Sequence, residues 1–286
     1  MRQELLPDTL VRLWADVEGG RLSREEFHRD QDVFLEEYRD EWKRALLLDG
    51  EADLPNSILR ELASYFGDGD LDETRRLCLD AVADIKGEWR DKVGSIDADR
   101  VRSFYDQSRA MLHELMWWHT LTDDLSPLAY VVALKFASMH GCGNCLDFGS
   151  GVGSGALLFV RNGITVTLAD ISSKALGFSA WRFARRGLEA RQIDLKSQKL
   201  PAAFDFITAM DVFEHLVDPV GTVRDLHAAL KTGGYLFGRF HAELDELRPH
   251  HIVLDFEPTF KELEKLGFTR VWQDRWLWGH EVYQKL

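Results

Sequence analysis

A chain of 286 residues has room for one large α/β domain and a smaller accessory domain, each with a real core. Its formal charge is −13, and because residues 141–286 hold 17 Lys and Arg against 18 Asp and Glu, residues 1–140 carry −12 of it. So acidic a front half repels phosphate backbones, which argues against nucleic acid as a partner and leaves a solvated helical surface, or a bias toward cationic substrates or a basic partner protein.

Met1-Arg2-Gln3-Glu4 leads into no apolar signal core. Ser23-Arg24-Glu25-Glu26 has capping-box spacing, and Phe34, Tyr38, Trp42 and Leu46 then recur every four residues, so 23–48 reads as one amphipathic helix. Pro55-Asn56-Ser57 opens a helix through Ile58, Leu62 and Phe66 that Gly67 stops. Cys78, Val82, Ile85 and Trp89 mark another, and Val101, Phe104, Ser108, Met111, Leu115 and Trp118 a further stripe. No strand pattern interrupts them, so residues 1–122 are expected to form an all-helical accessory domain, with aromatic stripes at core spacing.

Ser126-Pro127 starts the next helix, with proline where its missing N–H costs nothing. The apolar run Leu128 to Met139 is short and carries Lys135, so no membrane span is expected, and the expected location is cytoplasmic. Cys78, Cys142 and Cys145 fit a reducing compartment; Cys142-Gly143-Asn144-Cys145 has C-x-x-C spacing but no second pair for zinc. Strands and helices then alternate over 123–286: strands at 144–148, 164–170, 189–193, 204–209 and 235–240, with helices at 154–162, 173–186 and from Asp218-Pro219 to Lys231. This alternation calls for a parallel sheet. A helix from Glu257 to Leu266 and an antiparallel pair, Phe268 to Gln273 with Leu277 to Gln284, close the chain.

The first strand runs into Asp147-Phe148-Gly149-Ser150-Gly151-Val152-Gly153, and Asp170 ends the second strand 17 residues past Gly153. Glycines 149, 151 and 153 remove Cβ atoms where the backbone turns sharply and meets a ligand, and the helix that follows aims free N–H groups at it. A carboxylate at Asp170 can accept from both hydroxyls of a ribose, so the ligand carries adenosine. Two ligands fit, because Gly151-Val152-Gly153-Ser154-Gly155-Ala156 also satisfies the dinucleotide pattern G-x-G-x-x-G/A. Asp147 suits an ammonium and a sulfonium better than a pyrophosphate, which it repels.

The register D-x-G-x-G-x-G, the terminal strand pair, Arg191-Gln192-Ile193-Asp194-Leu195 at the end of the third strand, and Phe204 to Leu216 around the fourth together resemble the S-adenosylmethionine-dependent methyltransferases of the class I, Rossmann-like family over residues 126–286. The resemblance implies a seven-stranded, mostly parallel sheet with an antiparallel last strand and S-adenosylmethionine as cofactor. It implies that Gly149, Gly151 and Gly153 shape the donor loop and Asp147 orients it and the methionine amine. Asp170 then holds the ribose, Ile171 lies on the adenine, and Asp194 beside Leu195 reads the adenine amino group.

The acceptor side is less specific. Methyl transfer is an in-line displacement, so a hydroxyl acceptor needs a base at the C-terminal strand ends. Asp211 and His215 follow the fourth strand, His241 follows the fifth, and His250 and His251 lie in the next loop. His241 is the expected base, oriented by Asp211, with His250 and His251 in reserve. Asp211 stands where catechol-type enzymes of the family hold a metal, but matching ligands are not apparent, so no metal is expected. The leading expectation is O- or N-methylation of a small molecule under a helical lid. A protein- or carrier-presented acceptor, a nicotinamide oxidoreductase, and a donor-binding protein with other chemistry are the alternatives.

Overall fold

A computed structural model describes residues 5–67, 69–94, 96–241, 245–275 and 277–286; Met1 to Glu4, read above for signal character, lie outside them. The front of the chain is helical among these residues: α1 (Asp8–Glu18), α2 (Arg24–Phe34), α3 (Glu36–Leu46), α4 (Leu54–Phe66), α5 (Leu71–Lys92), α6 (Ala98–Gln107) and α7 (Ala110–Trp118). The capping box at Ser23 forms in both directions, with Glu26 N donating to Ser23 Oγ at 3.1 Å and Ser23 N donating to Glu26 Oε2 at 2.9 Å.

The single helix expected over 23–48 is two. The chain leaves helical geometry at Leu35 (φ −99°, ψ 7°), whose side chain is fully buried, while Phe34 is only half-buried. No glycine or proline marks this break; packing of Leu35, Tyr38 and Trp42 into a common core sets it.

A 3-10 turn (Ser126–Leu128) precedes α8 (Ala129–Met139), and the sheet follows: β1 (Asn144–Phe148), α9 (Ser154–Arg161), β2 (Thr165–Asp170), α10 (Ser173–Arg185), β3 (Arg191–Asp194), β4 (Phe204–Ala209), α11 (Pro219–Ala229), β5 (Leu230–Arg239), α12 (Glu257–Lys265), β6 (Phe268–Gln273) and β7 (His280–Lys285). The strand order is β3-β2-β1-β4-β5-β7-β6, with β7 antiparallel between β5 and β6. This is the seven-stranded, mostly parallel sheet that the alternation and the closing strand pair imply.

Two strand starts differ from the sequence reading by three residues or more. β5 begins at Leu230 because a register shift between Phe204 and Phe206 absorbs residues 231–234 around Gly233 (φ +81°). β7 begins at His280 because the N–H groups of Leu277 and Trp278 cap the Asp274 carboxylate at 3.0 and 2.8 Å, making a turn there.

The front helices pack directly on the sheet domain. One apolar cluster runs from Leu10, Leu35 and Trp42 through Val131, Leu157 and Phe206 to Val282. Trp42 stacks on Tyr130 with centroids 5.9 Å apart, and its Nε1 donates to the His119 carbonyl at 3.0 Å. Further along, Glu61 of α4 meets Arg182 of α10 (3.1 Å) and Arg186 just past its end (2.5 Å), almost wholly out of water. Removing one partner of such a buried group costs ~3–5 kcal/mol, so α4 is fixed to α10. No helix among the described residues is long and apolar enough to cross a membrane.

Candidate active site

β1, β2 and β4 all end at one edge of the sheet, and the chain after β1 turns there through Gly149 (φ +69°), Gly151 (φ +48°) and Gly153 (φ +72°). At Gly149 the left-handed backbone and a neighbour act together, since a Cβ would stand 2.5 Å from Val212 Cγ2. Asp170, at the end of β2, fastens the turn: its Oδ2 accepts from Gly151 N and its Oδ1 from Ser172 N, both at 2.8 Å. Burial raises the Asp170 pKa against these bonds, and the residue is 9% exposed.

Asp147 is buried below the turn. Its Oδ1 accepts from Thr208 Oγ1 at 2.8 Å and Tyr130 Oη at 3.4 Å, whereas Oδ2 has no partner. Burial pushes its pKa up to about 7.

A cavity of about 370 Å³ opens on this edge, lined by Gly149, Gly151, Asp170, Ile171, Leu195 and Val212 on the sheet side. Its opposite wall is helical, from Tyr105 of α6 to Met111 and Leu115 of α7. A larger hollow of about 910 Å³ lies at the strand starts, beside Asn144, Thr165 and Arg191. The smaller cavity is the site, because in open α/β sheets ligands bind beyond the C-terminal strand ends.

Asp194 lies half-buried beside this cavity; its Oδ1 accepts from Lys196 N at 2.9 Å and lies 3.4 Å from Lys196 Nζ. Lys196 itself was not singled out in the sequence. Its ammonium donates to Ile171 O (2.6 Å), Ser173 Oγ (2.7 Å) and Asp106 Oδ1 (2.9 Å), joining α6 to the loop after β2. A lysine two residues past a strand-end acid was the only local signal.

On the acceptor side Asp211 (φ +48°) accepts from Arg239 Nη1 at 2.7 Å. Burial raises its pKa, and the adjacent His280 and Arg239 outweigh that and hold it low. His241, the expected base, stands exposed two residues beyond β5, and the residues after it lie outside those described. His215 lines the cavity and is packed against His250 and His251. Of the five acceptor-side residues marked in the sequence, the fold brings Asp211 and His215 to the cavity wall.

Residues 103–277 match the family described as "Methyltransferase domain". The chain belongs to that family. The match starts inside α6, so Tyr105, Met111 and Leu115 of the cavity's helical wall fall within it. Among curated relatives, a ubiquinone biosynthesis O-methyltransferase of Paracidovorax citrulli is 29% identical over 42% of this chain and 55% of its own. The enzyme of the same name from Albidiferax ferrireducens is 33% identical over 42% of this chain and 52% of its own. The chain therefore spans about half the length of these relatives. A solved protein of Pyrococcus horikoshii shares 19% identity with a TM-score of 0.47, over 56% of this chain and 91% of that one.

The cofactor of the family is S-adenosylmethionine, and the site fits it. The turn offers backbone without Cβ atoms, the Asp170 carboxylate lines the cavity, and beneath the turn the buried Asp147 Oδ2 has no partner.

Proposed function

We propose that this chain transfers a methyl group from S-adenosylmethionine to a hydroxyl of a small molecule, in the reducing, cytoplasmic setting that suits its three buried, free cysteines. The observation that carries the reading is the cavity of about 370 Å³ that opens between the glycine turn and α6–α7. With the glycine-turn side of this cavity given to the donor, the part left beside Tyr105, Met111 and Leu115 suits a compact, partly apolar acceptor better than a polymer segment. The O-methylating relatives favour oxygen over nitrogen as the accepting atom.

In this reading Gly149, Gly151 and Gly153 admit the donor, Asp147 and Asp170 take its ammonium and ribose, and Ile171 and Leu195 lie along the adenine, with Asp194 at its rim. The donor supplies an electrophilic methyl group on a sulfonium. The chain's own residues hold the acceptor in line, exclude water and remove the hydroxyl proton, with His241 as base. Residues 1–122 serve as the cover and 123–286 as the donor-binding unit, meeting through α6 and α7.

Calorimetry tests this directly: S-adenosylhomocysteine should bind at one site and NADH should not. Release of S-adenosylhomocysteine over a panel of small phenols and catechols then identifies the acceptor class. NADH binding without S-adenosylhomocysteine binding would overturn the reading.

A further inference from the structure

Three histidines from two separate loops meet beside the cavity. His215 ends the 3-10 turn Phe213–His215 after β4, and His250 and His251 lie between β5 and α12. One ligating nitrogen from each lies within 4.8 Å of the other two. The rings of His215 and His250 stack with centroids 5.2 Å apart and 11° between planes, and His251 sets its ring edge-on to His215 at 4.8 Å. The loops are tied together by backbone, since Ile252 N (2.7 Å) and Val253 N (3.0 Å) both donate to the Glu214 carbonyl.

The hydrogen bonds decide which nitrogens are available. The His250 carbonyl only accepts, so His215 Nδ1, 3.0 Å away, is the protonated nitrogen and Nε2 keeps its lone pair. An N–H to a backbone carbonyl on one side of the ring is the arrangement that orients a metal-bound imidazole. His250 is 6% exposed and its Nδ1 is buried with no partner.

We propose that His215, His250 and His251 form a three-histidine site for a first-row divalent cation of the zinc and cobalt type, with its open position toward the cavity. Three imidazoles and an open fourth position make the ligand set of a catalytic zinc centre, and all-nitrogen donors disfavour magnesium and calcium. With metal–nitrogen bonds of ~2.0–2.1 Å in a tetrahedron, the nitrogens stand ~3.4 Å apart. The observed spread of up to 4.8 Å therefore requires the His250–His251 loop to close slightly on His215. Arg248 opposes a cation but is engaged by Asp245 Oδ2 at 3.2 Å, and Asp211 acts on His215 and His251 from the β4 side.

The ion's use rests on the methyl-transfer reading; the site does not. An acceptor hydroxyl at the open position is made more acidic by the ion and gives its proton to the base of that reading, His241. As its oxygen bonds to the methyl carbon, the carbon–sulfur bond breaks and its electron pair stays on sulfur, which leaves as a neutral thioether.

The test uses the full chain, purified without a histidine tag, stripped with chelator and titrated with Co²⁺. One Co²⁺ per chain, with the visible absorption of a four- or five-coordinate ion that Zn²⁺ displaces, is expected. His251→Ala and His251→Gln, at a half-buried position, should weaken it ~100-fold or more, beyond the ~10–100-fold seen for outer-shell partners. S-adenosylhomocysteine affinity and the far-ultraviolet circular dichroism should not change. No Co²⁺ binding, or equal binding by both variants, overturns the site while leaving the methyl-transfer reading standing if S-adenosylhomocysteine still binds. Co²⁺ bound through His251 in a chain that does not bind S-adenosylhomocysteine supports the site and removes that reading.

Discussion

Asp106 Oδ1 on α6 and Lys196 Nζ beyond β3 lie 2.9 Å apart, although 90 residues separate them in the chain. Asp106 also accepts from Ser173 N at 2.7 Å, at the first residue of α10. The pair thereby links the helical wall to the donor edge of the sheet. Both side chains keep partial contact with water, 23% and 30%, so the ion pair contributes only ~0.2–1 kcal/mol. Asp106→Ala should lower stability by about 1 kcal/mol and weaken S-adenosylhomocysteine binding by roughly tenfold. Burial raises the Asp106 pKa, and Lys196 and the Ser173 N–H outweigh it, so the net shift is downward. Its stabilisation is therefore present at neutral pH and is lost as pH falls through the lowered pKa. Urea melts of both proteins should converge in strong acid; a gap that persisted there would refute the ion-pair account.

Asp170→Ala should weaken donor binding by ~2–4 kcal/mol, through loss of charge-assisted bonds to the ribose with some compensation by water. It also frees Gly151 N and Ser172 N, so part of the loss comes from a loosened turn. Calorimetry with S-adenosylhomocysteine measures the sum, and Asp170→Asn, which keeps an acceptor oxygen, should recover part of it. Unchanged affinity in Asp170→Ala would exclude this carboxylate from the donor site.

Gly149→Ala meets two penalties: a left-handed backbone, at ~1–2 kcal/mol for a residue with a Cβ, and the 2.5 Å approach to Val212 Cγ2. Adding Val212→Ala relieves the second and not the first. The double variant should therefore be less destabilised than the sum of the singles in urea melts. Simple additivity would show that the two residues do not press on each other.

The Asp147 pKa, raised to about 7 by burial, gives a proton linkage with a definite sign. Because the folded value is raised, the unliganded protein loses stability as pH rises through that value. A donor ammonium placed on Oδ2 favours the charged form, so binding near pH 7 should release a fraction of a proton and tighten as pH rises. Calorimetry in two buffers of different ionisation enthalpy reads that release. Asp147→Asn should abolish it, and a release of the same size in that variant would assign it elsewhere.

His241→Ala should lower turnover ~10²-fold or more, the size expected for a lost general base, with donor affinity unchanged. Near-normal turnover would remove His241 from the chemistry and favour the three-histidine side of the cavity.

The glycine turn, Asp170 and the order of strands and helices were legible in the sequence because each depends on local rules. A left-handed turn demands glycine, a strand end offers its last side chain to the ligand edge, and alternating periodicities mark elements without reference to their neighbours. The break at Leu35, the pairing of Asp211 with Arg239, the wall built by Tyr105 and Leu115, the Asp106–Lys196 link and the meeting of His215 with His250 and His251 were decided by tertiary structure. Each joins residues from elements whose adjacency comes from burying shared apolar faces, and a single chain's local pattern carries the need for such burial but not the identity of the partner.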